Sequence, residues 1–316
     1  MRLLTFPFEE QPIEDAIATS RSAFALAQLA LERSSEPAAV IGAVGLAPGE
    51  TIVLGALQHA ARVVPGAFDA GAKVVRRATS GTGFRIDGGL LLMIAYSSAD
   101  AAFADVTSRT LLNRCVRPFL SGLSRGGLDS TYLGREWIAY RRQALGVLGL
   151  DVSPRGSVLI EAWLNESGSF VIPRSIASPL EASCDRSRGK PTIGLDVVAP
   201  GGSRELAARF VEGAADRLGD VARVIREMPD LDRVDALVTA AESPLPREAR
   251  VAVPVEIPIG FMDVAEAPGG SSWVGGDMLA PTFALGFDPP VAVEQLPMEG
   301  ARWENVGRAR ESLRTT

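Results

Sequence analysis

Residues 71–92 read Gly-Ala-Lys-Val-Val-Arg-Arg-Ala-Thr-Ser-Gly-Thr-Gly-Phe-Arg-Ile-Asp-Gly-Gly-Leu-Leu-Leu. A β-rich run enters a pair of arginines, passes through a turn of small residues and leaves by a second apolar run opening on Gly88-Gly89. Gly81 and Gly83 let a backbone approach a ligand closely and turn its N–H groups toward it. Arg76 or Arg77 beside them supplies charge for a phosphate or a carboxylate. The same residues also suit an ordinary glycine-rich β-turn with solvated arginines, and composition does not separate the two readings.

Upstream of this stretch, Ile13, Ile17, Phe24 and Leu31 form one apolar stripe, with Glu14, Arg21 and Glu32 on the other side, which predicts a long helix over 12–33. Strand-like runs follow at 39–45, 51–56, 72–77 and 90–96. Downstream, 101–121 returns to helical spacing and places Cys115 in the core; a loop is expected at 124–129. Strands are expected near 136–140, 144–148 and 157–164. Ser203 is a plausible N-cap for a helix that turns Leu206, Phe210 and Leu218 inward. This order predicts an α+β fold over residues 1–240, a mixed β-sheet with packed helices. From Ser243 onward proline recurs among glycines, yet Phe261, Trp273, Phe283, Phe287 and Trp303 are too many aromatics for a free linker. Residues 241–316 are therefore expected to be a proline-rich C-terminal extension packed on the main domain. Within it, strands are expected around 251–255 and 282–287, and a helix only at 304–313.

Composition removes several function classes. The chain has 316 residues and 47% hydrophobic residues, more than enough to offset the ordering entropy. Lys and Arg number 32 against 38 Asp and Glu, a net charge of -6, which leaves no electrostatic footprint for nucleic acid. Two cysteines, Cys115 and Cys184, with the single His59 make neither a disulfide framework nor a zinc site, so no metal site is expected. The longest uncharged apolar stretch, 88–99, is shorter than the ~20 residues that span a bilayer. The N-terminus turns acidic before a secretory apolar region forms. A cytoplasmic protein without a membrane partner is the expectation.

Order and context give the glycine stretch a more specific meaning. Arg76-Arg77-Ala78-Thr79-Ser80-Gly81-Thr82-Gly83, followed by Asp87-Gly88-Gly89-Leu90, resembles the signature of the lipoate-protein ligase A family within the biotin/lipoyl protein ligase superfamily. That signature is Arg-Arg-x-Ser-Gly-Gly-Gly, then His-Asp and a Gly-Asn-Leu step. Residues 51–58, ending Gly55-Ala56-Leu57-Gln58, resemble the family's strand that ends in Gly-x-x-Gln, and the opening helix matches as well. The resemblance covers roughly residues 1–220 in element order and is motif-specific at 51–58 and 71–92. It implies a biotin/lipoyl ligase-like fold and a pocket for the acyl chain and adenylate lined by Gln58, Arg76, Arg77, Ser80, Gly81, Thr82, Gly83 and Asp87. ATP with Mg, lipoate and a lipoyl-domain or acyl-carrier protein would then be the cofactors and the partner.

The departures matter as much. The family's later lysine, in Gly-Arg-Lys-x-x-Gly-x-Ala, holds the acyl carboxylate and α-phosphate together; the matching stretch here is 134–149, where Gln143 occupies the lysine's place. Arg142, if it continues a strand, would point to the opposite face. Thr82 stands for the central glycine and Ile86 for the histidine. Together these changes imply impaired adenylation.

Two residues remain as catalytic candidates. Cys184, flanked by Asp185, Arg186 and Arg188, lies where related octanoyltransferases carry a cysteine nucleophile, and neighbouring cations would favour its thiolate. Lys190, one of only two lysines, has a Gly-Lys-x-x-x-Gly texture but falls about fifty residues beyond the family's lysine segment; it also reads as a solvated loop lysine. Glu161, within the apolar run 158–164, is expected either to face solvent or to pair with an arginine. His59, after Gln58, either lines the pocket or is structural. The function implied is a lipoyl or octanoyl transferase or ligase acting on a lysine of an acyl-carrier domain; the alternative is a non-catalytic paralogue that binds an acyl or adenylate ligand or a partner protein.

Overall fold

The computed structural model describes residues 2–33, 37–67, 70–98, 111–133, 137–153, 156–184, 190–199, 201–218, 222–224, 250–251, 255–257, 260–266, 272–277 and 291–292. Helix α1 (Ile13–Arg33) forms as the apolar stripe predicts, with Glu14 and Asp15 in its first turn, where carboxylates favour the positive end of the helix dipole. The strands are β1 (Arg2–Thr5), β2 (Glu10–Gln11), β3 (Ala38–Leu54), β4 (Lys73–Arg76), β5 (Phe84–Tyr96), β6 (Ser130–Leu133), β7 (Trp137–Tyr140), β8 (Gln143–Val152), β9 (Val158–Asn165) and β10 (Ala222–Val224). Among the described residues five further helices follow α1: α2 (Ala60–Val63), α3 (Leu111–Arg125), α4 (Pro179–Cys184), α5 (Leu195–Val198) and α6 (Gly202–Leu218).

These strands form one mixed sheet in the order β10-β1-β3-β5-β9-β8-β7-β6, with β2 and β4 also paired to β3. Pairing is parallel among β10, β1 and β3, and antiparallel from β3 to β6. Helix α1 covers one face, where Ala16, Ile17 and Phe24 pack with Val44, Met93, Val147 and Trp163. Helices α3 and α6 cover the other, where Phe119 and Phe210, ring centroids 5.2 Å apart, pack with Ile41, Ile94, Leu148 and Ile160. Alternation along each central strand feeds both cores, so those strands are buried on both sides and read as continuous apolar runs.

The two runs at 39–45 and 51–56 are a single bent strand. Its register against β5 breaks between Leu46 and Glu50, and opposite the break Gly88 and Gly89 take φ of +68° and +127°. Such irregularities bend a strand pair sharply. The outer half of the β3–β5 hairpin turns back over the sheet, so that Ser80 pairs with Leu150. Leu150 lies opposite Ile160, which lies opposite Ile94 near the far end of β5. Only a folded-over flap brings residue 80 to that place.

Other differences are local. Ser203 sits inside α6, which begins at Gly202, and α3 runs to Arg125, into the stretch read as loop. Residues 101–110 lie outside the described residues. A second, antiparallel sheet comprises β11 (Arg250–Val251), β12 (Val255–Ile257), β13 (Gly260–Glu266), β14 (Ser272–Gly276) and β15 (Val291–Ala292). The expected domain boundary at 240, strand at 282–287 and helix at 304–313 lie outside the described residues. Among the described residues no helix is long and apolar enough to cross a membrane.

Arg141 and Arg142 do not continue a strand. They form the two-residue turn between β7 and β8, with φ of 47° and 67°, and Tyr140 pairs with Gln143 across it. With positive φ at both central positions this is the type I′ pattern, which Asn and Gly adopt more readily than arginine. Replacing the pair by Arg141→Asn with Arg142→Gly should stabilise the chain by about 1 kcal/mol in urea unfolding; unchanged or lower stability would show that the arginines earn their place by other contacts.

Candidate functional site

The flap carries the arginine and glycine loop, and the loop is clamped onto the end of β3. The Arg77 N–H donates to the Leu54 carbonyl at 3.0 Å and the Ala56 N–H to the Thr79 carbonyl at 2.9 Å. A Cβ on Gly55 would lie 2.1 Å from the Gly81 oxygen, and one on Gly81, whose φ is +140°, would lie 2.0 Å from Arg77 Nη2. The loop therefore rests on the strand only because both positions are glycine. Gly55 thus admits the backbone of Gly81, and Gly81 in turn admits the Arg77 guanidinium.

The arginines grip carbonyl oxygens. Arg76 Nη1 donates to the carbonyls of Gly55, Ala56 and Gln58 at 2.8, 3.1 and 2.6 Å. Arg77 is fully buried; its Nη2 donates to the Thr82 carbonyl at 3.1 Å, and its guanidinium lies 5.3 Å from the centroid of the Phe84 ring. Ser80 Oγ donates to the Leu150 carbonyl at 2.6 Å. Thr82 is buried, and Gly83 packs beside Gln58, where a Cβ would lie 2.9 Å from Oε1. Gln58 is also buried: Oε1 accepts the Gly55 N–H at 2.9 Å and Nε2 donates to Asp277 Oδ1 at 2.9 Å. Asp87 is exposed at the bend and accepts the Gly49 N–H at 2.9 Å, while Ile86 is buried on the α1 side. Loop, strand end and Gln58 thus form one unit, with Asp87 outside it.

Glu161 overturns its expectation of a solvent or arginine partner. It is wholly buried in β9 and accepts hydrogen bonds from Ser20 Oγ on α1, from Thr79 Oγ1 on the loop and, at 3.4 Å, from Trp163 Nε1. Gly149, opposite Glu161 on β8, leaves the space for this, since a Cβ there would lie 2.0 Å from Thr79 Oγ1. A buried carboxylate is tolerated when hydrogen bonds satisfy it, and this one ties helix, flap and sheet together.

A second buried polar cluster lies behind Gln58. Arg62, fully buried, pairs with Glu181 at 3.1 Å, Asp263 at 2.9 Å and Asp277 at 2.5 Å. The Gly276 N–H donates to the Leu57 carbonyl at 2.9 Å and Arg62 pairs with Asp263, so β13 and β14 meet the segment 57–62 that follows β3. Burial pushes the Asp263 carboxyl up to about 6; Arg62 pulls it down, Asp277 pushes it up and the His59 backbone N–H pulls it down. His59 itself is buried. Sequence reading missed this cluster because Arg62 is 119 and 215 positions from Glu181 and Asp277.

The remaining candidates fall beside β8. Tyr140 packs against the α3 and α6 core, and its partner across the turn, Gln143, shares that face; the next residue, Ala144, belongs to the α1 side. The register thus sets Gln143 on the face away from the loop. Lys190, far off in sequence, returns to this place. The Ala144 N–H donates to the Pro191 carbonyl at 2.9 Å, the Ile193 N–H donates to the Ala144 carbonyl at 3.0 Å, and Lys190 Nζ lies 5.5 Å from the Trp137 ring centroid. Cys184 ends α4, and its side chain is outside the described residues. Cys115 is buried, and burial pushes its thiol up, as suits a core residue. Among the described residues no His, Cys, Asp and Glu cluster could hold a metal ion.

No family model and no curated protein matches the sequence. Solved structures do. LipL1 of P. falciparum in complex with lipoate is similar over 97% of this chain and 98% of its own, with 12% identity and a TM-score of 0.59. The bi-partite lipoate protein ligase of Thermoplasma acidophilum matches over 76% of this chain and 90% of its own, with 15% identity and a TM-score of 0.52. Lipoate-protein ligase A bound with ATP matches over 76% and 92%, with 14% identity and a TM-score of 0.52. The chain has the fold of the lipoate-protein ligases, as the motifs at 51–58 and 71–92 imply.

Two outcomes follow from the buried groups. Glu161→Ala should lower unfolding stability by about 2–4 kcal/mol, because three donors lose their acceptor. Glu161→Gln, keeping one acceptor oxygen, should lose less; equal and negligible losses would mean the network does not hold the flap. The Asp263 carboxyl binds its proton more tightly in the folded chain, so its contribution to stability is complete below the ordinary 3.8 and is lost as pH rises through about 6. Thermal unfolding should show the wild type gaining stability over Asp263→Asn as pH falls from about 7 to about 5; parallel curves would contradict this.

Proposed function

We propose that this protein holds a lipoyl or octanoyl group and delivers it to the amine of a lysine on a small lipoyl or acyl-carrier domain. The observation that carries the reading is the likeness, over 97% of the chain, to a ligase solved with lipoate. The loop of Arg76, Arg77, Ser80, Gly81, Thr82 and Gly83, clamped at the end of β3 beside Gln58, is where the sequence motif places the acyl and adenylate pocket. Lipoate-protein ligase A solved with ATP supports ATP, and LipL1 solved with lipoate supports lipoate, as co-substrates; Mg would accompany the ATP. The archaeal ligase described with its E2 lipoyl domain supports a lipoyl domain as partner.

In the ATP route the acyl carboxylate attacks the α-phosphorus and pyrophosphate leaves; the acceptor amine then attacks the acyl carbonyl, loses its proton, and AMP leaves. Electrostatic stabilisation of the developing phosphoryl charge governs such a step. Gln143 without a charge, Thr82 and Ile86 make this route weak here. In the alternative route the Cys184 thiolate takes the acyl group from a carrier thioester, releasing the carrier thiol, and the acceptor amine then displaces Cys184. A second reading, a non-catalytic binder of an acyl or adenylate ligand or of a partner protein, is favoured by one observation: both loop arginines already grip backbone carbonyls.

Mass spectrometry separates these. After incubation with an octanoyl-carrier protein, an octanoyl adduct is expected that disappears in Cys184→Ser. An adduct that persists in the variant would remove Cys184 from the route. Absence of any adduct and of lipoyl-AMP from lipoate and ATP, with calorimetric binding of a lipoyl-AMP analogue, would favour the binder. No binding of lipoate, octanoate or the analogue would overturn the whole reading.

A further inference from the structure

Lys190 is one of only two lysines in the chain. The other, Lys73, is held by Glu14 at 2.9 Å. Lys190 is exposed and has no carboxylate partner among the described residues; its ammonium instead lies over the indole of Trp137, 5.5 Å from the ring centroid. An ammonium has three N–H donors, and a contact with one aromatic face leaves donor capacity for an acceptor. Its backbone is fixed, because the following residues 191–193 pair in parallel fashion with Ala144.

Trp137 supplies a second, independent observation. It is 4% exposed, its Nε1–H is buried, and that N–H donates to no acceptor among the described residues. A buried indole N–H usually finds a partner, so one left without a partner marks a place for an acceptor from outside. Two donors, one charged and one neutral, therefore meet at the same ring.

The seat also lies on the loop's side of the sheet. Trp137 packs in the α1-side core with Phe84, Trp163 and Phe170; Trp137 contacts Phe170 at 5.8 Å, Phe170 contacts Phe84 at 6.1 Å, and Phe84 carries the Arg77 guanidinium. One aromatic row thus has a cation at either end, Arg77 bound to carbonyls and Lys190 not. Gln143 faces away from this side.

We infer that Lys190 and Trp137 form an anion seat that accepts the carboxylate or α-phosphate oxygen of the acyl ligand, a residue assignment that rests on the proposed acyl-binding function. The charge absent at residue 143 is supplied from a different segment, about fifty positions later in the chain and adjacent in space. Trp137 contributes the neutral donor that orients the oxygen, and Lys190 the charge.

The test uses the full chain with nitrogen-labelled tryptophan indoles, of which there are four. Octanoate supplies a carboxylate alone, AMP a phosphate ester and inorganic phosphate the bare anion; a lipoyl-AMP analogue supplies the joined ligand. The indole resonance missing in Trp137→Phe is expected to shift with the analogue and with at least one simple anion. Lys190→Met keeps the aliphatic stem on the ring but removes the charge, and should weaken analogue binding by about tenfold or more while leaving the thermal midpoint unchanged. Lys190→Arg should restore part of the loss. If the analogue binds but the Trp137 indole does not move, or Lys190→Met binds as tightly as the wild type, the seat is wrong while the acyl-binding reading survives. If phosphate moves the indole in a Lys190-dependent way but neither octanoate nor the analogue binds, the seat stands and the acyl reading fails. An indole unmoved by every probe overturns the seat outright.

Discussion

A single buried carboxylate holds the candidate site in shape. Glu161 sits in the middle of β9 with no access to water, and its acceptors take one hydrogen bond from α1, one from the loop and one from Trp163 on its own strand. A buried polar group that loses a hydrogen-bond partner is costly. Any arrangement in which Thr79 drifts from Glu161 leaves both groups less satisfied. The flap is therefore held over the sheet by this buried network as well as by the bend at Gly88 and Gly89.

Once the flap is in place, most of the loop's polar groups are committed to protein partners. Arg76 satisfies three carbonyls at the end of β3, and Ser80 closes on Leu150. Gln58 joins the end of β3 at Gly55 to Asp277, and Arg62 joins the same segment to Asp263 and Glu181. The result is a rigid frame at the strand end, with the second sheet bound to its back. Positions fixed this closely suit a binding site whose geometry is set before a ligand arrives. The same rigidity leaves few charged donors free at the loop itself, which gives Lys190 its significance.

Much of the architecture was legible in the chain. The apolar stripe at 12–33, the continuous apolar runs of the central strands, and the helix with Leu206 and Phe210 inward all form as read, because local periodicity and burial agree there. The motifs at 51–58 and 71–92 pointed to the ligase fold, and Gly55 and Gly81 are required there by the close approach of the Gly81 backbone and of the Arg77 guanidinium. Glu161 was misread because alternation gives a face but not the depth of a strand in its sheet. Arg142 was misread because positive φ at two consecutive arginines leaves no trace in composition.

By itself the sequence determined the element order, the two apolar faces of the sheet and the place of the glycine loop, since each depends on residues within a few positions of one another. Only the tertiary structure decided which side chains meet. Ser20 and Thr79 reach Glu161 across 141 and 82 positions, and Arg62 reaches Asp277 across 215. Pro191 reaches Ala144 only because the chain returns along the start of β8, bringing Lys190 to Trp137. Such meetings are fixed by sheet order, by the bend of the β3–β5 hairpin and by strand register, where one residue of slip exchanges the two faces. Gln143 and Lys190 differ in that respect: one occupies the expected place in the motif, and the other lies on the side of the sheet where the loop is.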